Sequence, residues 1–231
     1  AGFTDWVGPY TFNTNCAPPT AVCQNITVYL DGAGNATITA ADVDGGSTAP
    51  CGLVSMSVSQ AAFTCADIGP NNVTLTVTDV NNASDNCVAV VTVADTTSPV
   101  ANCQNITIYL DGAGNATITP ADLDNGSTDN NCGKVNLSAS QTTFTCADIG
   151  PNNVTLTVTD GSSNQASCVS VVTVADTTPP IAVCQNINVY LDGTGNATIT
   201  AADLDGGSTD NCGTVNFSAS QTAFTCADVG T

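Results

Sequence analysis

The sequence predicts an all-β protein made of tandem immunoglobulin-like β-sandwiches, arranged as a linear rod and cross-linked by disulfides. Three observations predict this class: a long stretch that recurs three times, strand-type alternation of apolar residues, and twelve cysteines at regular spacing. The stretch reads CQNITVYLDGAGNATIT at 23–39, CQNITIYLDGAGNATIT at 103–119 and CQNINVYLDGTGNATIT at 184–200. Because an internal repeat marks the folding unit, each copy predicts one domain.

The repeat is about 80 residues long and divides the chain into four parts. We expect an aromatic N-terminal segment at 1–18, a first repeat at 19–97, a second repeat at 98–178 and an incomplete third repeat at 179–231. The N-terminal segment is either the tail of a preceding domain or a segment that docks on a partner. For the third repeat we expect that the sequence is a piece of a longer array; the alternative is that a strand from another molecule completes the sandwich.

Apolar residues alternate with threonine along several short segments of each repeat. NITIYL at 105–110 and NVTLTV at 153–158 have the period of two that is typical of half-buried strands, and CVSVVTVA at 168–175 is apolar on both faces. LDGAGN predicts a hairpin turn between CQNITIYL and NATIT, and the Asp-, Asn- and Gly-rich stretches predict loops. We expect about seven short strands per repeat and no helix.

The cysteines recur at intervals of about 28, 14 and 22 residues within a repeat, which predicts a framework rather than reactive thiols. Zinc sites usually take ligands from close CxxC pairs, which this chain lacks, so disulfides and an oxidising compartment are favoured. Four cysteines allow three pairings, and the sequence does not select among them. We expect the first to pair with the fourth and the second with the third. The expected bonds are Cys23–Cys87, Cys51–Cys65, Cys103–Cys168, Cys132–Cys146 and Cys212–Cys226, with Cys16 and Cys184 unpaired within the chain.

The charged residues exclude several classes of function. The chain has a net charge of -19, with no histidine and a single basic side chain, Lys134. Histidine-activated nucleophiles cannot be built without histidine, and nucleic-acid binding needs many Lys and Arg. Because these activated nucleophiles are missing, we predict that the protein is not an enzyme.

No apolar run reaches the roughly 20 residues that span a bilayer, so we expect no membrane insertion of this segment.

The joints and loops of the repeat resemble a known family of extracellular modules. The stretches DTTPPIAVCQN, STDNCG, FTCADIGPNNVTLTVTD and CVSVVTVADTT are similar to those of the hyalin-repeat family, in particular to tandem arrays of large surface proteins and adhesins of Bacteroidota. The resemblance covers about residues 19–231. It implies an immunoglobulin-like fold and an adhesive or stalk role at the cell surface, and it supplies no catalytic residues.

The Asp-rich loop is the best candidate for a binding site. Carboxylates and amide carbonyls cluster there in a glycine-containing turn, and calcium takes six to eight oxygen ligands. The candidate ligands are Asp42, Asp44, Asp122, Asp124, Asp129, Asp203, Asp205 and Asp210. The alternative is that these residues form Asx-turns and keep the surface soluble. The only cofactor we expect is therefore calcium, and none is required.

Two further features suggest modification or binding. The DTT joints resemble sites of O-glycosylation in Bacteroidota, which would place sugar on Thr96 and Thr177, and Asn-x-Ser/Thr sequons such as Asn105 invite N-glycosylation in a eukaryotic secreted protein. The threonine rows of VTLTVT are a minor argument for ice binding, although ordinary β-propensity explains them.

We therefore expect a structural and adhesive extracellular protein, a stalk or filament on a bacterial cell surface. Its partners would be neighbouring copies or further repeats of the same chain, with surface glycans or proteins as further partners. The alternative is a module that binds a glycan or protein through loops between its strands; the near identity of these loops among repeats argues against one specialised site.

Overall fold

The computed structural model describes residues 16–129 and 132–230, and its regular structure is almost entirely β. The N-terminal aromatic residues at 1–15 lie outside the described part. The strands of the first repeat are β1 Ile26–Tyr29, β2 Asn35–Thr37, β3 Leu53–Val58, β4 Ala62–Thr64, β5 Gly69–Asp79 and β6 Ser84–Ala94. Those of the second are β7 Ile106–Tyr109, β8 Asn115–Thr117, β9 Asn136–Ala139, β10 Thr143–Thr145, β11 Gly150–Thr159 and β12 Gln165–Ala175. The third repeat has β13 Asn196–Thr198 and β14 Ala223–Thr225.

The first two repeats share one topology, a four-stranded sheet facing a two-stranded one. The sheets run β1-β6-β5-β3 with β2-β4, and β7-β12-β11-β9 with β8-β10. Strands β5 and β6 form a long antiparallel hairpin, whereas β1 lies parallel to β6 with Ile26 opposite Val91. This confirms the predicted immunoglobulin-type sandwich, with six strands in each of the two repeats where about seven were expected.

The predicted hairpin at LDGAGN is wrong. Strand β1 pairs with β6, and β2 pairs with β4, so the two strands on either side of this turn belong to different sheets. The turn itself is built as its residues suggest: the Asp31 carboxylate accepts bonds from the N–H groups of Ala33 and Asn35, both at 2.9 Å. An Asx-turn reverses the chain at the corner of a sandwich as readily as in a hairpin.

The core of the first repeat lies between its two sheets. Every second residue of β5, from Val73 to Asp79, is buried, as the alternation predicted. Across from the long hairpin, Phe63 of β4 is 1% exposed and packs with Leu30, Ile38 and Val43. The second repeat buries the corresponding residues Leu110, Ile118, Leu123, Phe144, Val154, Leu156, Val158, Val172 and Val174.

The corresponding apolar residues of the third repeat are less covered. Leu191, Ile199, Leu204 and Phe224 are only half-buried. The stretch Ile187 to Tyr190 matches strands β1 and β7 in sequence but is not a strand. Strands β1 and β7 are held by β6 and β12, and no strand described in the structure pairs with residues 187–190. A strand needs a hydrogen-bonded neighbour, so this stretch stays irregular.

Short helical turns occur where no helix was expected. They are a single α-helical turn at Pro120–Leu123 and 3-10 turns at Cys65–Asp67, Cys146–Asp148, Ala201–Leu204 and Cys226–Asp228. Each begins with a capping box, in which a threonine side chain and an aspartate three residues later cap the exposed backbone N–H groups. Turns this short have no apolar periodicity, which is why the sequence pattern missed them.

The described chain forms two compact units. The first comprises the described part of Ala1–Val100 with Thr128–Asn136 and Thr159–Gln165, and the second comprises Ala101–Ser127, Leu137–Val158 and the described part of Ala166–Thr231. The first unit thus contains the first repeat together with two loops of the second. The domain boundaries expected from the repeat remain a prediction.

Candidate functional site

Two of the expected disulfides are present, one in each complete repeat. Cys23 is bonded to Cys87 and Cys103 to Cys168, with Cα–Cα distances of 5.8 and 6.0 Å. Cys87 lies in β6 opposite Leu75 of β5, and its partner Cys23 lies just before β1. Each bond therefore ties the beginning of a repeat to the long hairpin that supplies much of its core.

The expected pairing of second with third cysteine is wrong. The structure pairs Cys65 with Cys132 and Cys146 with Cys212, so the third cysteine of one repeat is bonded to the second cysteine of the next. Cys51 is bonded to Cys16, which was expected to be unpaired. The predicted bonds Cys51–Cys65, Cys132–Cys146 and Cys212–Cys226 are absent; Cys226 is free and exposed, as is Cys184.

The inter-repeat bonds form because the second and the third repeat each present their second cysteine in a loop that reaches the preceding repeat. The Cα atoms of Cys65 and Cys132 are 4.9 Å apart, and those of Cys146 and Cys212 are 5.1 Å apart, both within the Cα–Cα range that disulfides span. The repeated glycine of LDGAGN leaves room for this bond. A Cβ atom on Gly114 would lie 2.5 Å from the sulfur of Cys146, and its φ of +77° is one that L side chains rarely adopt.

The loop that carries Cys132 also carries Asp129, which lies against the joint between the first two repeats. Oxygen atoms of Asp95 and Asp129 and the sulfur of Cys132 lie within 4.8 Å of one another. Asp95 is the aspartate of the DTT joint; it is 7% exposed and accepts a bond from the N–H of Thr97 at 3.0 Å. Within residues 16–129 and 132–230, this is the only group of three or more acidic or cysteine side chains at ligand distance from one another. The Cys132 sulfur is in a disulfide, so only the two carboxylates could hold a metal.

Polar side chains also lie around the Cys146–Cys212 bond in the second unit. Asn211 donates to the carbonyl of Asp111 at 3.0 Å and to the carboxylate of Asp176 at 3.3 Å, and the sulfur of Cys146 lies 3.2 Å from the Asn211 carbonyl. The backbone N–H of Thr178, followed by the Asn211 amide, lowers the pKa of Asp176. Asp210 Oδ1 and Asn211 Oδ1 are buried and accept no hydrogen bond from any described residue. A loop of polar groups is thus held beside each inter-repeat disulfide.

The other predicted calcium ligands serve local turns. Asp42, Asp122 and Asp203 accept bonds from the N–H of the threonine three residues earlier, at 2.6, 2.6 and 2.7 Å. These backbone hydrogen bonds lower the pKa of each carboxyl. The structure therefore does not bring these three together with Asp129 or Asp210 in one ligand group.

Asp44, Asp124 and Asp205 also stabilise their own loops. Each accepts a bond from the N–H of the serine three residues later, at 2.9, 2.9 and 2.7 Å. The hydroxyl of that serine is the main cause of the lowered pKa of each carboxyl. These three match the Asx-turn alternative that the sequence left open.

The sequence patterns did not single out Asp95, Asp176 or Asn211, although a signal was present. The aspartate of VADTT recurs at both complete joints, and an Asn precedes the cysteine of each STDN loop in the second and third repeats. Only the fold shows that a joint and a loop about 35 residues further along the chain meet at one place.

The expected glycosylation sites differ in their surroundings. Thr96 and Thr177 are exposed, so modification at the two joints remains a prediction. The Asn105 side chain is engaged in the fold, because its amide oxygen accepts a bond from the N–H of Val171 at 2.8 Å. The threonines of the VTLTVT rows, Thr74, Thr76 and Thr78, are half-buried rather than displayed as a flat exposed array.

Fold and site together define a disulfide-linked β-sandwich repeat protein in which the cross-links run both within and between repeats. No protein-family model matches the chain, so the hyalin-repeat assignment remains a resemblance. No curated protein matches it either. No helix in the described part of the chain is long and apolar enough to cross a membrane.

Several solved structures match parts of this chain, at low sequence identity and low TM-score. Human mucin-like protocadherin EC1-2 is 13% identical, with a TM-score of 0.34 over 68% of this chain and 98% of that one. Protocadherin gamma B7 extracellular cadherin domains 1-4 are 10% identical, with a TM-score of 0.35 over 80% of this chain and 59% of that one. An endo-fucoidan hydrolase of glycoside hydrolase family 107 is 14% identical, with a TM-score of 0.25 over 73% of this chain and 30% of that one.

Proposed function

We propose that this chain is a structural and adhesive segment of an extracellular protein, in which β-sandwich repeats form a cross-linked stalk or filament. The observation that carries the proposal is the bonding of consecutive repeats through Cys65–Cys132 and Cys146–Cys212. Covalent bonds from each repeat to the next are useful to a protein whose task is to hold its repeats together.

The composition supports an extracellular setting for this role. Five disulfides need an oxidising compartment to form and persist. A net charge of -19 keeps such a surface soluble and favours cations over anionic partners. We further propose that the protein is attached to a bacterial surface and that its neighbours are copies or further repeats of the same chain. The hyalin-repeat resemblance supports both points.

A second proposal concerns calcium at the joint between the first two repeats. We propose that Asp95 and Asp129 are the carboxylates that take a divalent cation, with amide and backbone oxygens as further ligands. The supporting observation is that oxygen atoms of Asp95 and Asp129 lie within 4.8 Å of one another and that Asp95 is 7% exposed. A cation would relieve the repulsion between two carboxylates held this close.

Immunoelectron microscopy of the native source material tests the structural role most directly. Antibodies raised against the folded chain should label extended surface stalks or filaments, and pre-incubation with the purified chain should abolish the labelling. Labelling of a dispersed protein with no extended structure would contradict the proposal. A glycan array distinguishes the structural role from that of a ligand-binding module. Selective binding of one glycan by the folded chain would favour the binding module if reduction and alkylation abolish that binding.

A further inference from the structure

The five disulfides enclose overlapping lengths of chain. Their sequence separations are 35, 64, 67, 65 and 66 residues, and each enclosed stretch begins before the previous one ends. From Cys16 to Cys212, every residue is therefore enclosed by at least one disulfide. A stretch enclosed by a disulfide cannot be pulled straight, because the bond already connects its two ends.

One route through these bonds is much shorter than the backbone, and we call it the short covalent path. It crosses from Cys16 to Cys51, follows the backbone to Cys65, crosses to Cys132, follows the backbone to Cys146 and crosses to Cys212. Its two backbone pieces together contain about 28 residues, which at about 3.5 Å per extended residue span about 100 Å. The backbone from Cys16 to Cys212 would span about 700 Å if it were fully extended.

We propose that this chain is a tension-bearing tether whose length under load is set by the short covalent path rather than by its folded domains. Load applied along the chain passes through the disulfides and the two pieces between them. These pieces contain β3 and β4 in the first repeat and β9 and β10 in the second. The long hairpins β5–β6 and β11–β12, which supply much of each core, lie off the path and carry no load once it is taut.

The two disulfides within repeats provide a second, longer route. It runs from Cys16 to Cys23, crosses to Cys87, continues to Cys103, crosses to Cys168 and returns to Cys146 before the final bond to Cys212. This route contains about 45 backbone residues and spans about 160 Å. Loss of the Cys65–Cys132 bond would therefore lengthen the tether by about 60 Å, and the chain would still not extend fully.

Optical tweezers test this with the full chain held by handles at its two termini, without reductant. The Cys65→Ser/Cys132→Ser variant should reach a final contour length about 60 Å longer than the unsubstituted chain. The matched control, Cys23→Ser/Cys87→Ser, also removes one disulfide but leaves the short covalent path intact, so its final length should not change. Full reduction should lengthen the unsubstituted chain by about 600 Å.

The final contour length depends on covalent connectivity alone, so non-reducing peptide mapping first establishes that each variant keeps its four remaining disulfides in the described pattern. An unchanged length in the Cys65 variant, or an increase in the Cys23 control, would overturn the inference. So would an oxidised chain that extends as far as a reduced one. The result is independent of where the protein is located and of what it adheres to, so failure here and failure of the proposed surface role can be told apart.

Discussion

The disulfide between Cys65 and Cys132 joins the start of a 3-10 turn in the first repeat to an Asp-rich loop of the second. The same relationship recurs between Cys146 and Cys212. The cross-link thus repeats with the sequence, and it brings Asp129 to the joint aspartate Asp95. Two features that looked separate in the sequence, the cysteine spacing and the acidic loop, belong to one joint between repeats.

The core of the first repeat should depend strongly on Phe63. Phe63→Ala removes a side chain that is 1% exposed and should cost about 3 to 5 kcal/mol of local stability, measured by hydrogen exchange of the β5 and β6 amides. Phe224→Ala is the matched control, because Phe224 has the same position in the third repeat and is only half-buried. Hydrogen exchange of the third-repeat amides measures the stability lost in Phe224→Ala. If this loss equals that of Phe63→Ala, the described packing is contradicted.

The turn between β5 and β6 should depend on the buried carboxylate of Asp79. Its Oδ1 accepts bonds from the N–H groups of Asn81 and Ala83, both at 2.9 Å, and the residue is 1% exposed. Asp79→Ala leaves these donors without the carboxylate and should cost about 2 kcal/mol. The measurement is again hydrogen exchange in β5 and β6. Asp31→Ala removes the same pair of bonds from an exposed turn and should destabilise less; the reverse order would refute this account.

Acid should destabilise the fold below the ordinary aspartate pKa of about 4. Backbone hydrogen bonds lower the pKa of Asp42, Asp67 and their counterparts in the other repeats. A lowered pKa in the folded state stabilises the protein above the unfolded pKa, and this contribution is lost as the pH falls through the folded pKa. The melting temperature should therefore fall between about pH 4 and pH 2.

Protonation also weakens the repulsion among the carboxylates, which acts in the opposite direction. Added salt at neutral pH measures that repulsion separately, because salt screens charge without protonating the turns. A melting temperature that rises steadily down to about pH 2 would show that repulsion outweighs the capping bonds.

Calcium should stabilise the chain if the joint carboxylates bind it. We expect a higher melting temperature in millimolar calcium than in EDTA, because a ligand that binds only the folded state stabilises it. Asp95→Asn/Asp129→Asn should reduce this increase. Asp42→Asn/Asp44→Asn is the control and should retain it, since these two serve local turns. Equal melting temperatures of the unsubstituted chain in calcium and EDTA would remove the calcium proposal.

The sequence predicted the sandwich class because alternation in stretches such as 153–158 depends only on which face of a strand is buried. It also located the Cys23–Cys87 bond, which lies within one repeat. It could not select the partner of Cys65, because a bond to Cys51 and a bond to Cys132 produce the same regular spacing. The pairing of β1 with β6 instead of β2 was likewise hidden, since a short turn fits either arrangement.

The most direct test of the inter-repeat cross-link uses the single tryptic site, Lys134, which lies exposed between Cys132 and Cys146. In the Cys103→Ser/Cys168→Ser variant, no disulfide of the described pattern connects the chain before Lys134 with the chain after it. Trypsin under denaturing, non-reducing conditions should therefore separate this variant into two fragments, whereas the cleaved unsubstituted chain stays joined through Cys103–Cys168. If the variant's fragments stay joined until reductant is added, a bond such as Cys132–Cys146 spans the cut, and the account of repeats cross-linked through Cys65–Cys132 is contradicted.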